Sequence, residues 1–108
     1  MGRSRKVEER VLDKDEKELV AQSHHPALKG VADGELSKLV ARLRERRDRA
    51  LDIAKRQRRE MRRKAAPAGA TPASDNSGSR EKAAVLAAAL KRVNKERDRR
   101  GIEAQDVA

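Results

Sequence analysis

Cysteine and all three aromatic residues are absent from this chain of 108 residues. Without cysteine the protein can form neither a disulfide nor a thiolate metal site, and it has no thiol nucleophile. Without Phe, Tyr or Trp it lacks the large aromatic side chains on which unpaired bases usually stack, and arginine planes stack only weakly. These two absences argue against thiol chemistry and against the usual way in which proteins recognise single-stranded nucleic acid.

Large apolar residues are also scarce. The chain has nine Leu, eight Val, two Ile and two Met, against 18 Ala. Leu, Ile, Val and Phe together make up 19 of the 108 residues, which is below the limit of about 20 % under which highly charged chains tend to be disordered. We therefore expect a thin core that is marginal alone, so that a homodimer or a helical protein partner is one way to complete it.

No apolar run approaches the roughly 20 residues that a membrane-spanning helix needs, and the start of the chain lacks the apolar segment of a secretion signal. Peripheral attachment to anionic membrane is disfavoured as well, since no Trp or Phe is present to anchor an apolar face. We expect a protein of the cytoplasm or nucleoid.

What is abundant is Ala, Arg, Lys, Glu and Leu, the composition of long helices. The predicted fold class is all-α, with two long amphipathic helices joined by a flexible linker as an antiparallel helical hairpin or coiled coil, a short N-terminal helix and frayed termini. The predicted segments are a polar N-terminal arm (1–12), a short helix and turn (13–32), a long basic helix (33–66), the linker (67–79), a second helix (80–100) and a tail (101–108).

Local signals support these boundaries. Asp13 followed three residues later by Glu16 has the spacing of a capping box. Asp33 and Ser79 are of the residue types that cap helix N-termini, and Gly101 is of the type that follows a helix C-terminus.

Apolar residues recur on one face of each long helix, which predicts that these faces are buried. The expected packing or partner interface consists of Leu36, Leu39, Val40, Leu43, Leu51, Met61, Leu86, Leu90 and Val93. A hairpin brings the α-helical segment after the linker beside the second half of the long helix. We therefore expect the apolar residues of the second helix to face the second half of the first, which leaves residues 36–43 for the N-terminal segment or for a second chain. The residues expected to face each other are Leu86, Leu90 and Val93 on one side and Leu51, Ala54 and Met61 on the other.

Positive charge is concentrated in one place. The chain carries a net charge of +10, and residues 35–66 hold thirteen cations and five acids. Within them residues 55–64, here called the basic segment, hold seven cations and one acid. Such a segment on a helix is typical of surfaces that contact phosphates. The candidate nucleic-acid-binding residues are Lys55, Arg56, Arg58, Arg59, Arg62, Arg63 and Lys64, with Arg42 and Arg49 on the preceding turns.

A plainer interpretation applies to the earlier members of this set. Glu45 lies four residues before Arg49, and Asp52 lies four residues before Arg56. Such pairs stabilise a helix by a few tenths of a kcal/mol and would leave a solvated face that binds nothing.

The leading functional interpretation is a small basic helical protein that binds duplex DNA or structured RNA, including ribosomal RNA, through backbone phosphates without reading sequence. The alternative is a coiled-coil adaptor whose apolar faces recruit another protein while its charge maintains solubility. No nucleophile motif or phosphate-binding loop is present, and adjacent His24 and His25 point in different directions on regular backbone. We expect no enzymatic activity, no metal, no cofactor and no small-molecule substrate.

Overall fold

The protein is helical throughout the part of the chain that its computed structural model describes, residues 5–64 and 77–102, and no strand occurs there. Four α-helices follow one another as α1 (Arg5–Val11), α2 (Lys14–Gln22), α3 (Asp33–Lys64) and α4 (Ser77–Arg100). A short 3-10 turn, Ala27–Gly30, separates α2 from α3. This confirms the predicted all-α class with two long helices.

The two long helices form an antiparallel hairpin. Near the start of α4, the Ser79 hydroxyl donates a hydrogen bond to the side-chain oxygen of Gln57, at 3.0 Å. At the other end of α4, Arg100 donates from Nη1 to the Asp33 carboxylate, at 2.9 Å. The start of α4 thus lies beside the second half of α3, and the end of α4 lies beside the start of α3. This arrangement confirms the predicted hairpin.

One hydrophobic core joins the hairpin to the N-terminal segment. Seven of the nine predicted interface residues belong to it, each at most 6 % exposed: Leu36, Leu39, Val40, Leu43, Leu86, Leu90 and Val93. The segment before α3 adds Leu12, Leu19, Val20 and Leu28. Each fully buried Leu or Val contributes roughly 1.5 to 3 kcal/mol, so these few residues supply most of the hydrophobic stabilisation.

Two residues predicted to pack do not do so as expected. Leu51 is 42 % exposed, and Met61 is only partly buried. At this level of α3 the inward positions are taken by Ala50 and Ala54, which are 2 % and 6 % exposed. Leu51 is rotated by about 100° around the helix from Ala50, so it lies at the edge of the apolar face and stays outside the contact.

The expectation that α4 packs only against the second half of α3, which leaves residues 36–43 to other partners, is also wrong. The core residues of α4 share one cluster with Leu36 and Leu43, instead of facing only the second half of α3. The register explains this, because Ser79 already lies beside Gln57. From there α4 extends back along α3 until Arg100 reaches Asp33.

The N-terminal arm predicted to be frayed contains helix α1. Its Glu8 is 4 % exposed, and one carboxylate oxygen lies 2.8 Å from His24 Nε2. The other lies 3.8 Å from Arg92 Nη2 on α4. A carboxylate this deeply buried needs such partners, so they hold α1 against both the loop after α2 and α4.

Helix α2 begins as predicted. The Asp13 carboxylate accepts a hydrogen bond from the Glu16 backbone, and Glu16 accepts one from the Asp13 backbone, at 2.8 Å and 3.0 Å. This reciprocal pair is a capping box. Glu16 is 3 % exposed and also meets Lys82 Nζ at 3.0 Å, which attaches the start of α2 to α4.

The end of α4 is also as predicted. Gly101 has a φ of +76°, and the Ile102 N–H donates to the Arg97 carbonyl at 2.9 Å. This is the left-handed glycine cap of a Schellman motif. The structure differs from the predicted loose tail at Ile102, which packs against the core. Residues 103–108 lie outside the described part.

The starts of the two long helices differ slightly from prediction. α4 begins at Ser77, so Ser79 lies inside the helix. Asp33 is the first residue of α3, and its carboxylate accepts from Arg100. Most of the predicted linker, residues 67–76, lies outside the described residues, as do residues 1–4 and 65–66.

Candidate nucleic-acid interface

The cations predicted to bind nucleic acid lie on the solvent side of α3. All those whose side chains are described are exposed: Arg42, Arg49, Lys55, Arg56, Arg58, Arg59 and Arg62. The side chains of Arg63 and Lys64 lie outside the described set. The helix therefore presents a cationic surface directed away from the core.

One row of this surface follows the seven-residue spacing. Arg42, Arg49 and Arg56 succeed one another at about 10 Å along the helix axis, and each is rotated by about 20° from the last. This arrangement suits contacts with an extended polyanion, because the spacing is fixed by the helix and does not depend on loop conformation.

A second row includes a residue that the sequence analysis did not select. Arg44, Lys55 and Arg62 are spaced by eleven and seven residues, which keeps them within about 20° of one another around the helix. Arg44 is exposed. The eleven-residue spacing is a helical repeat, so it was available from the sequence, but a seven-residue pattern alone does not detect it.

Other cations on the long helices have structural partners. Arg46 reaches across to α2, with Nη1 at 3.3 Å from Asp13 and 3.5 Å from Glu16. Arg47 binds its neighbour Asp48 at 2.9 Å. Arg46 thus joins α3 to α2, whereas the Arg47 pair lies within α3 itself.

The exposed arginines of α3 lack such partners. Glu45 and Arg49, like Asp52 and Arg56, form no ion pair within 4.0 Å in residues 5–64 and 77–102. The side-chain geometry therefore does not support the interpretation in which Arg49 and Arg56 are neutralised by acids four residues earlier on the same helix. Positive charge that is unpaired on a helix destabilises it by repulsion until an anion binds.

Arg42 has different surroundings from the rest. It lines a recess of about 320 Å³ together with Asp15, Glu18, Glu45 and Arg46. Three carboxylates against two guanidiniums leave this recess with a net negative charge, which disfavours a phosphate beside Arg42. The cationic surface therefore weakens toward the start of α3.

The basic segment lies where α3 extends past its neighbour. α3 continues for seven residues beyond Gln57, which is about 10 Å. α4 begins two residues before Ser79, or about 3 Å before the level of Gln57. Among the described helices, the last turn of α3 thus protrudes from the bundle and carries Arg62 into solvent.

The described residues form neither a metal centre nor a membrane-spanning helix. No group of three or more His, Asp or Glu side chains there can hold a metal ion, and His24 is engaged with Glu8. None of the described helices combines the length and apolar character that crossing a bilayer requires.

The chain was compared with protein-family models, curated proteins and solved structures, and none of the three comparisons gives a match. The fold class that the structure defines is a helical hairpin supported by two shorter helices. Its function must be inferred from the surface described above.

Proposed function

We propose that this protein binds duplex DNA or structured RNA by placing the exposed cations of α3 against backbone phosphates, without reading base sequence. The observation that carries the proposal is the contrast within α3. Arg46 and Arg47 are bound to acids, whereas Arg56, Arg59 and Arg62 are exposed and form no ion pair in the described part of the chain. Releasing condensed counterions from a nucleic acid supplies the affinity of such a surface.

The proposal places binding at the basic segment, with Arg49 and Arg44 assisting and Arg42 contributing least. Lys55 and Arg58 widen the surface, and the same role is assigned to Arg63 and Lys64 from their sequence positions. No catalytic step, metal or cofactor is involved. The protein would act in the cytoplasm or nucleoid, wherever its nucleic acid is located.

The adaptor alternative is less well supported. It needs the apolar face of α3 to be available to another protein, yet Leu39 and Leu43 are 2 % and 0 % exposed within the chain's own core. Exposed large apolar residues in the described ranges are Val7, Leu51 and Ile53. Homodimerisation stays a prediction, to be measured by sedimentation.

A charge-neutralisation experiment tests the proposal. The triple variant Arg56→Gln, Arg59→Gln and Arg62→Gln keeps good helix formers on α3. We expect its affinity for a short labelled duplex and for an RNA hairpin, measured by fluorescence anisotropy, to fall by about tenfold or more.

The matched control is Lys6→Gln, Lys14→Gln and Lys17→Gln, which removes the same charge from exposed positions on α1 and α2. This control should bind almost as tightly as the unaltered protein. Absence of binding by the unaltered protein at low salt, or equal losses in the two triple variants, would reject the proposal.

A further inference from the structure

A second cationic site lies at the other end of the hairpin, remote from the basic segment. It is a recess of about 420 Å³ between the 3-10 turn and the last turns of α4. The recess is lined by His25, Lys29, Arg92, Lys95, Glu96 and Arg99. In sequence, the α4 cations are interspersed with acids, so a charge count gives little sign of a site here.

Glu96, the acid among the residues that line the recess, is neutralised by two arginines of its own helix. Glu96 is 4 % exposed. It accepts two hydrogen bonds from Arg99, at 2.9 Å and 2.7 Å, and one from Arg100 at 2.8 Å. These hydrogen bonds lower the pKa of Glu96 to about 2. Because its charge is matched by two arginines, it does not cancel the remaining cations around the recess.

Two arginines of α4 fix the loop that forms the opposite wall. Arg92 donates to the Ser23 hydroxyl at 2.8 Å and to the Ser23 carbonyl at 3.2 Å. Arg100 donates to the carbonyls of Leu28 and Lys29 at 3.1 Å each, and to that of Val31 at 2.6 Å. Both ends of the loop are therefore attached to α4.

As a result, the loop residues that line the recess are held in position before any ligand arrives. Lys29 and Lys95 are both exposed, and neither forms an ion pair with any residue of the described ranges. Arg99 uses Nε and Nη2 for Glu96, yet its side chain is still 62 % exposed. Because the loop backbone is already fixed, an anion that binds here has to order the lysine side chains but not the loop.

We infer that this recess binds the phosphate group of a small phosphorylated molecule, with Lys29 and Lys95 as the main ligands and Arg99 assisting. Its volume falls within the range of small-molecule pockets, roughly 300 to 1,000 Å³, which is more than a bare phosphate fills. The recess is a concave space bordered by these residues, whereas the α3 cations form a convex ridge suited to a polymer. The inference does not depend on nucleic-acid binding by α3.

The test is an NMR titration of the full ¹⁵N-labelled chain with inorganic phosphate, with AMP and with adenosine. We expect saturable shifts of the Lys29, Lys95 and Arg99 amides with phosphate and AMP, and none with adenosine, which lacks the phosphate. Tighter binding of AMP than of phosphate would show that the organic part also occupies the recess, whereas equal binding would make free phosphate the ligand.

The double variant Lys29→Gln and Lys95→Gln should weaken the binding of both phosphate and AMP by about tenfold. The control variant Lys6→Gln and Lys14→Gln should leave it unchanged. The titration of the unaltered protein stands as a test even if the double variant unfolds, which circular dichroism will show.

The inference is overturned if neither phosphate nor AMP gives a saturable shift at these amides. It is equally overturned if only a duplex shifts them, since the recess would then be a second contact for nucleic acid. Loss of duplex binding in the α3 triple variant has no bearing on this result, so the two proposals can fail separately.

Discussion

Three glutamates are buried in the described part of the protein, and each contacts at least one arginine or lysine. Glu8 meets His24 and Arg92, while Glu16 meets Lys82 and an arginine of α3. Glu96 is bound by two arginines of its own helix. Removing one partner of such a group leaves a buried charge without compensation, which costs more than the pair contributes. The charged residues thus fix which elements meet.

Acid should destabilise the protein partly through Glu96. Hydrogen bonds from Arg99 and Arg100 hold its pKa at about 2, below the ordinary 4.5. Because the folded-state pKa is lowered, the stabilisation is complete above about pH 4.5 and is lost as the pH falls toward about 2. We expect Glu96→Gln to be less stable at neutral pH and to lose stability less steeply over that acid range.

Urea unfolding followed by circular dichroism at a series of pH values measures this. Glu60→Gln, at an exposed glutamate of α3, is the matched control and should behave as the unaltered protein does. An acid dependence of Glu96→Gln as steep as that of the unaltered protein would contradict the role given to Glu96.

Two leucines on α3 should respond very differently to the same substitution. Leu43 is 0 % exposed and Leu51 is 42 % exposed. We expect Leu43→Ala to lower the free energy of unfolding by about 2 to 5 kcal/mol, and Leu51→Ala to lower it by less than about 1 kcal/mol. Chemical unfolding measures both, and similar losses would mean that the hairpin has a different register.

Helix α2 shows how a short element is stabilised locally and from a distance. The capping box sets its first residue, and contacts with Arg46 and Lys82 bind the same end to both long helices. A nine-residue helix is marginal alone, so these tertiary contacts are needed to hold it in place.

The cap itself can be tested by comparing two aspartates in that turn. Asp13 accepts the Glu16 N–H, whereas Asp15 makes only an ion pair, at 3.7 Å, with the arginine that also binds Asp13. We expect Asp13→Ala to cost about 1 kcal/mol more than Asp15→Ala in thermal or urea unfolding. Equal costs would show that the ion pairs, and not the cap, hold the start of α2.

The elements that could be predicted from sequence are those specified by nearby residues. The capping box needs residues three apart, and the cap at Gly101 needs only the helix that precedes it. Helix α1 could not be predicted in this way, because Glu8 is satisfied by residues 16 and 84 positions later in the chain. Its polar sequence looked like an arm for that reason.

The candidate site also has a part that nearby residues in the sequence reveal and a part that depends on contacts between distant residues. The cations of the basic segment are visible in the sequence because they are consecutive on one helix. That Arg46 serves the fold, and that Arg42 lies beside acids of α2, depends on packing between helices. The recess near Lys29 and Lys95 also depends on contacts between distant segments, so no local spacing reveals it.

Taken as a whole, the molecule carries its cationic surfaces at opposite ends of the hairpin. The basic segment protrudes at one end, and the loop between α2 and α3 forms the recess at the other. Acids of α2 and of the first half of α3 lie between them. The long helix acts as a straight support that keeps these surfaces apart, by about 40 Å along its axis from Asp33 to Arg62.

Salt dependence of duplex affinity is the most direct test that α3 binds phosphates. Each phosphate neutralised contributes about −0.9 to the slope of log K against log salt concentration. If Arg56, Arg59 and Arg62 each neutralise one phosphate, their triple Gln variant should have a slope shallower by about 2.7 than the unaltered protein. Equal slopes in the two proteins, or an affinity of the unaltered protein that does not change with salt, would contradict the proposed function.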